Sequence, residues 1–310
     1  MTSSSNGNHT LEEQQAHDAV TAEEITGAEA PNRPNSSKTA AVQKRPNAFT
    51  ELMAPSKKPK PAATPAADAP GLADTAKNTI TGLDRRDGLG VYIEKPETNP
   101  DGRVLEYDDD WVVITDKYPK ASVHLLLLPR KPEYYNRHPL KVLSEDATFL
   151  AQVRKRVIPL RELAASELRR QYGHFSASDK PYQGALEMLM SSPDPPPPEE
   201  RAALLPYGRD WTADIVTGVH TRPSMNHLHI HIFSRDMWSP CMKHKKHYLS
   251  FNTSFLVRLD EFPIKYSNRY HPGDWPSWDM ECWRCGKNFK NKFAALKQHL
   301  ADELEAWKQE

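Results

Sequence analysis

Apolar and polar positions alternate with a period of two in several short stretches beyond about residue 100. They divide the chain into strands, one long helix and loops. Residues 103–107 and 111–115 predict a hairpin around Asp108-Asp109-Asp110, and 122–128 a third strand stopped by Pro129. Ser144 is the expected cap of a helix with Glu145 and Asp146 in its first turn. Leu150, Val153, Val157, Leu160 and Ala164 make its apolar stripe, Pro159 its kink and Gly173 its end. A surface excursion over 174–209, stiffened by Pro195 to Pro198, leads to strands at 211–220 and 226–234, expected as antiparallel neighbours. The order β-β-β-α-β-β predicts an α+β fold, an antiparallel sheet with helices to one side. Residues 1–78 are rich in Ala, Pro, Ser, Asn and charge, and predict a disordered tail ahead of a folded part starting near Leu83.

The sharpest alternation runs through Asn226-His227-Leu228-His229-Ile230-His231-Ile232-Phe233. Read as a strand, it puts three imidazoles on one face and apolar residues on the other. Stacked imidazoles repel one another when charged, so such a cluster suits a metal or an anion such as phosphate better than core filling.

Charge sharpens this picture. Lys+Arg and Asp+Glu are both 41, yet residues 1–40 hold six acids and two bases, and residues 216–300 hold thirteen bases, six acids and eight His. A neutral total therefore hides a basic C-terminal region suited to a polyanion. No apolar run is long enough to span a membrane, and Met1-Thr2-Ser3-Ser4-Ser5-Asn6 is no secretory leader, so neither a membrane nor a secreted role is expected. In the tail, Lys57-Lys58-Pro59-Lys60 resembles a nuclear import signal. The 44–53 island, with Phe49, Leu52 and Met53 on one helical face, suits a protein partner.

Of three Cys, two form Cys282-Trp283-Arg284-Cys285, which fits a metal site better than a disulfide framework. His299 follows at finger-like spacing on a helix expected over about 292–307. Glu303, one turn on, shares its face and is the preferred fourth ligand; Asp302 and His271 are weaker candidates. One structural Zn²⁺ per chain is expected, on a module spanning 271–310.

The His-φ-His-φ-His run closing a strand resembles the signature of the histidine-triad (HIT) superfamily. So does Asp116-Lys117-Tyr118-Pro119-Lys120-Ala121-Ser122-Val123-His124, which resembles its nucleotide-binding segment. Two further stretches resemble the aprataxin family: His220 to His231, and Ser239-Pro240-Cys241-Met242-Lys243-His244-Lys245-Lys246-His247 continuing to Asn252. The resemblance runs from about Leu83 to the C-terminus. It implies a HIT-like catalytic domain over 79–270, followed by a Cys₂-His-Glu finger of Cys282, Cys285, His299 and Glu303.

The family likeness implies a DNA-repair hydrolase that removes AMP from adenylated 5′ ends, RNA–DNA junctions among them, through a covalent AMP-histidine intermediate. His229 is then the nucleophile, with His227, His231 and His220 beside the phosphate. Asp116 clamps the ribose, His124 and Ser224 lie near the phosphate, and Leu89 lines the adenine pocket. Lys120, Lys243, Lys245, Lys246 and His247 contact DNA. No catalytic metal, a monomer and a nuclear location are expected. Two features depart from the longer aprataxins: 1–78 is no phosphopeptide-binding β-sandwich, and Leu83 or Arg85 stands where others place an aromatic wedge. The alternative activity is hydrolysis of dinucleoside polyphosphates or nucleoside phosphoramidates, which explains neither the basic run nor the finger. A binding adaptor without turnover does not need the intact triad. A metalloenzyme using the triad as ligands leaves Asp116 and His124 unexplained.

Overall fold

The computed structural model of the chain describes residues 85–265 and 268–310. The acidic tail, the 44–53 island, Lys57 to Lys60 and Leu83 lie outside the described residues. Asp108 makes the first turn: its Oδ1 accepts the amides of Asp110 (2.9 Å) and Trp111 (2.7 Å). Strands β1 (Val104–Tyr107) and β2 (Trp111–Thr115) thus pair antiparallel. β3 (His124–Pro129) pairs with β2, and β5 (Ile230–Ser234) with β3. β4 (Ile215–His220) pairs with β5, and β6 (Leu256–Arg258) closes the order β1-β2-β3-β5-β4-β6. Gly218 is required where β4 meets β6: a Cβ there would lie 2.5 Å from the Val257 carbonyl oxygen.

One face of the sheet is covered by the long helix α4 (Ala147–Tyr172), whose Val153, Val157, Leu160 and Ala164 pack with Ile230 and Ile232. Before it, α1 (Gly90–Glu94), α2 (Pro132–Tyr135) and α3 (Pro139–Glu145) are short. The cap of α4 is Asp146, not Ser144: extended Asp146 breaks the chain between α3 and α4, and its Oδ1 accepts the Phe149 amide at 2.8 Å. Pro159 sits inside α4 without ending it, and Gly173 caps it. The excursion also holds α5 (Lys180–Met190) and α6 (Pro198–Leu204). Neither helix fully buries a residue.

The other face has three covers. Leu89, Tyr92 and Ile93 lie on Val112, Ile114, Leu126 and Leu128. α7 (Lys245–Asn252) lays Phe251 against Phe233. The C-terminal segment adds β7 (Met280–Glu281), β8 (Asn288–Lys290) and α8 (Phe293–Trp307), with Leu296 and Leu300 in the same cluster as Phe233 and Tyr248. Each such buried leucine contributes about 1.5–3 kcal/mol. The end of α8 is tied to the helical side: the Arg209 guanidinium lies between Trp211 (4.2 Å) and Trp307 (4.7 Å) and donates to the Trp307 carbonyl. Described residues on both sides of this tie belong to one compact unit. No helix among them is long and apolar enough to cross a membrane. The sheet exceeds its predicted five strands by β6, and α7 occupies a stretch to which the sequence assigned no element.

Candidate active site and candidate metal centre

The pairing register places Ile114, Leu126, His231 and Gly218 in one row across β2, β3, β5 and β4. His231 therefore shares a face with His124 on β3, and with Asp116 just past the end of β2. The expected strand of three imidazoles needs a correction. The ladder starts at Ile230, because the Leu228 amide is taken by the Tyr135 carbonyl (2.8 Å) and the chain before it curls. The His227 ring packs beside Tyr135 (5.2 Å) and Gly90, away from the cavity, and His227 contributes its carbonyl instead.

That carbonyl fixes a tautomer. His229 Nδ1 lies 2.8 Å from the His227 oxygen, which can only accept, so the proton is on Nδ1 and the lone pair on Nε2. A second chain starts at the Lys120 amide, which donates to His124 Nδ1 (3.2 Å). The His124 proton is then on Nε2, 2.9 Å from His231 Nδ1 and 3.5 Å from Asp116 Oδ2. His231 in turn carries its proton on Nε2, a buried atom with no partner among the described residues. The His220 ring meets the Ser250 carbonyl and lies 4.5 Å from that of His231. One imidazole thus offers a lone pair and its neighbour an N–H.

Burial keeps these rings neutral. It pushes His229 below the ordinary range against the opposing pull of the His227 carbonyl, takes His220 and His231 well below it, and lowers His124 to about 4. Burial also works against ionisation of Asp116, but His124, the Lys120 ammonium and the Tyr118 amide (2.8 Å) outweigh it and lower its pKa.

A cavity of about 530 Å³ opens over this row, between α1 and α7. His220 and His231 line it from β4 and β5, with His229 beside them, and Ile114 and Leu126 from β2 and β3; Leu89, Tyr92 and Asp116 line it as well. Ser224 reaches it on a loop held by Arg86, which donates to the Ser224 and Pro223 carbonyls (3.2 Å each), and by Asn226, which donates to Asp87 (2.8 Å). Lys120 and His247, expected on a DNA-facing surface, are buried and line the cavity. Lys243 is exposed, Lys245 and Lys246 are partly so, and Lys245 Nζ donates to Asn291. His124 stands behind His231 rather than in the lining. Arg85 lines the cavity, as do Tyr92, Asp101, Lys117 and Phe251, which the sequence did not single out.

At the C-terminal module, ligand atoms of Cys282, Cys285, His299 and Glu303 all lie within 4.8 Å of one another. Cys285 Sγ is 3.1 Å from His299 Nε2, which is 3.2 Å from Glu303 Oε1. A tetrahedron with zinc bonds of about 2.0–2.3 Å has edges of about 3.3–3.8 Å, so the set fits a zinc ion. The other Glu303 oxygen accepts from Arg284 at 2.5 Å, which orients the carboxylate as an outer partner does.

The comparisons agree with this geometry. The HIT domain family matches residues 97–237, and the C2HE / C2H2 / C2HC zinc-binding finger family matches 252–306. The aprataxin-like protein of Schizosaccharomyces pombe is 32% identical over 72% of this chain and 82% of its own. The chain belongs to the aprataxin family. The aprataxin-like protein of Saccharomyces cerevisiae is 33% identical over 71% of this chain and 95% of its own. The crystal structure of the aprataxin ortholog Hnt3 in complex with DNA matches with a TM-score of 0.57 at 32% identity, covering 72% of this chain and 96% of that one. Family and fold together make this aprataxin relative a HIT-family DNA-repair hydrolase with a finger of the zinc-binding type.

Proposed function

We propose that this chain removes AMP from adenylated 5′ ends of DNA, with His229 Nε2 as nucleophile. The observation that carries the reading is the His229 Nδ1 bond to the His227 carbonyl, which leaves Nε2 unprotonated beside a donor N–H of His231. Nε2 attacks the α-phosphorus; the bond from phosphorus to the DNA-side oxygen breaks and the DNA leaves with a 5′-phosphate. Water then displaces the imidazole, giving AMP and restoring His229, with the surplus proton passing to solvent. The His231 N–H stabilises charge on the phosphoryl oxygens, and His220, Ser224 and Lys120 stand beside it. Asp116 sits where a ribose would lie, and Leu89 lines the base end.

No catalytic metal enters this reading. Asp116, His124 and His231 approach within metal-ligand reach, but the Lys120 amide leaves the proton on His124 Nε2, the atom a cation would need. One structural zinc on Cys282, Cys285, His299 and Glu303 belongs to it. So do a nuclear location, a monomeric state, a catalytic domain over 79–270 with the finger after it, and DNA contacts from Lys243, Lys245 and Lys246. The Hnt3 complex with DNA and the basic region support a DNA substrate. The test compares kcat/KM on adenylated nicked DNA and on a dinucleoside polyphosphate. A large preference for DNA is expected; a preference for the small substrate overturns the DNA reading and leaves the hydrolase.

A further inference from the structure

The cavity is not uniformly apolar. Its lining includes a loop in which Asn99 and Asp101, on either side of Pro100, both adopt left-handed backbone (φ 42° and 58°). Asn and Asp adopt this conformation more readily than other residues with side chains, and outliers of this kind gather at binding sites. The loop is pinned from within: the Val104 amide donates to Asn99 Oδ1 (2.8 Å), and the Thr115 amide to the Arg103 carbonyl (2.9 Å). It carries Asp101 into the cavity lining, where the buried Tyr92 hydroxyl donates to it and Lys117 Nζ lies 3.0 Å from Oδ2. Arg103 Nε is 3.9 Å away. A carboxylate has about four lone-pair positions, and the Asp101 side chain is half exposed, so it can still accept from a ligand.

We propose that Asp101 is the specificity-determining residue for the base, accepting a hydrogen bond from an exocyclic amine while Tyr92 and Lys117 hold its carboxylate in place. The inference rests on the nucleotide reading of this cavity. The imidazoles and Asp116 line the cavity as candidate phosphate and sugar partners, and Asp101 lines it too, joined through the Tyr92 hydroxyl to the apolar group of Leu89, Ile114 and Leu126. Flat apolar walls hold any purine, whereas a fixed acceptor distinguishes a base with an amine from one without.

The experiment is calorimetric titration of the full chain with AMP and with purine riboside 5′-monophosphate, which lacks only the amine. AMP is expected to bind about tenfold more tightly, the effect of one hydrogen bond to a part-exposed charge. Asp101→Gly, which tolerates the left-handed backbone, should make the two ligands equal. Asp101→Asn should keep part of the preference, since its amide oxygen still accepts, and Lys117→Met should keep most of it. Equal binding of both ligands by the unaltered chain, or a preference that survives Asp101→Gly, overturns the assignment. Failure of the unaltered chain to bind either nucleotide overturns the nucleotide reading itself, and the Asp101 proposal with it. In turnover, the same substitution should raise KM for adenylated DNA about tenfold and leave kcat for the bound substrate largely unchanged.

Discussion

Two regions of this molecule build a site on histidine, and they hold it in opposite ways. On the sheet, each ring is oriented by protein groups: the His227 carbonyl fixes His229, and the Lys120 amide fixes His124, which fixes His231. The relay ends on ring atoms left for a ligand. In the C-terminal module, two sulfurs, one imidazole and one carboxylate converge at a spacing that suits a cation as common partner, and Arg284 steadies the set from outside. A reactive site needs a lone pair kept unengaged, so the fold must supply the order. A structural site needs every lone pair engaged, so the ion supplies the order. Separate chemical blows to the two regions should therefore have separate consequences.

The largest expected effect is on turnover. His229→Ala should lower AMP release from adenylated DNA by at least about 10³-fold, because the covalent route is lost, while DNA binding measured by anisotropy stays within a few-fold. An AMP-protein adduct, trapped by acid quench and seen by mass spectrometry, should form on the unaltered chain and vanish in the variant. Near-normal release from the variant removes His229 from the nucleophile role.

Next comes the metal. Cys282→Ala should take zinc content from one per chain to near zero and loosen a small module whose stability depends on the ion. Hydrolysis of a small adenylate should persist, since the imidazole row rests on its own ladder; loss of that activity in parallel with zinc would abolish the contrast between the regions. Brief exposure to EDTA should likewise spare the small substrate.

Proton linkage probes the sheet region alone. His124 has a folded pKa of about 4 against an ordinary value of 6.5. A base depressed on folding leaves stability intact above the unfolded value and removes it as pH falls from about 6.5 to about 4. The loss for this group is on the order of 3 kcal/mol, with His220, His229 and His231 acting in the same direction. Urea midpoints should fall accordingly between pH 7 and pH 5 at constant zinc. His124→Gln, which carries no titrating ring, should flatten that fall; a slope left unchanged would move the linkage to other groups.

What was legible in the sequence was what chain proximity encodes. His229 and His231, the Asp116 to His124 spacing, and the Cys282, Cys285, His299 and Glu303 set each lie in short segments, and the structure brings each set together. The inward turn of Lys120 and His247 was not legible, because it depends on how the Asp116 to His124 segment and α7 pack over the sheet. Alternation also misled at His227: period two predicts one face only while a ladder persists, and the ladder starts three residues later. α5 was hidden because Pro181 and Gly184 interrupt its short apolar pattern, and β6 because three residues make too short a pattern. The loop at Asp101 depends on left-handed backbone that no apolar pattern announces.

The smallest expected effect tests whether the two regions cooperate on one ligand. α7 belongs to both: its Phe251 touches the rings of His220 and His231, while Lys245 at its start reaches Asn291 in the finger. If DNA lies across this junction, Lys245→Ala with Lys246→Ala removes up to two phosphate contacts. The slope of log affinity against log salt should then become shallower by about 1–2. Affinity at low salt should fall several-fold, and hydrolysis of a small adenylate should stay nearly constant because neither lysine lines the cavity. Restoring one positive charge, with Lys246→Arg in place of alanine, should recover about half of the lost slope, since counterion release counts charge rather than shape. A slope that does not move places the DNA elsewhere on the molecule. Equal losses on DNA and on the small adenylate would show instead that these lysines hold α7 in place above the imidazoles.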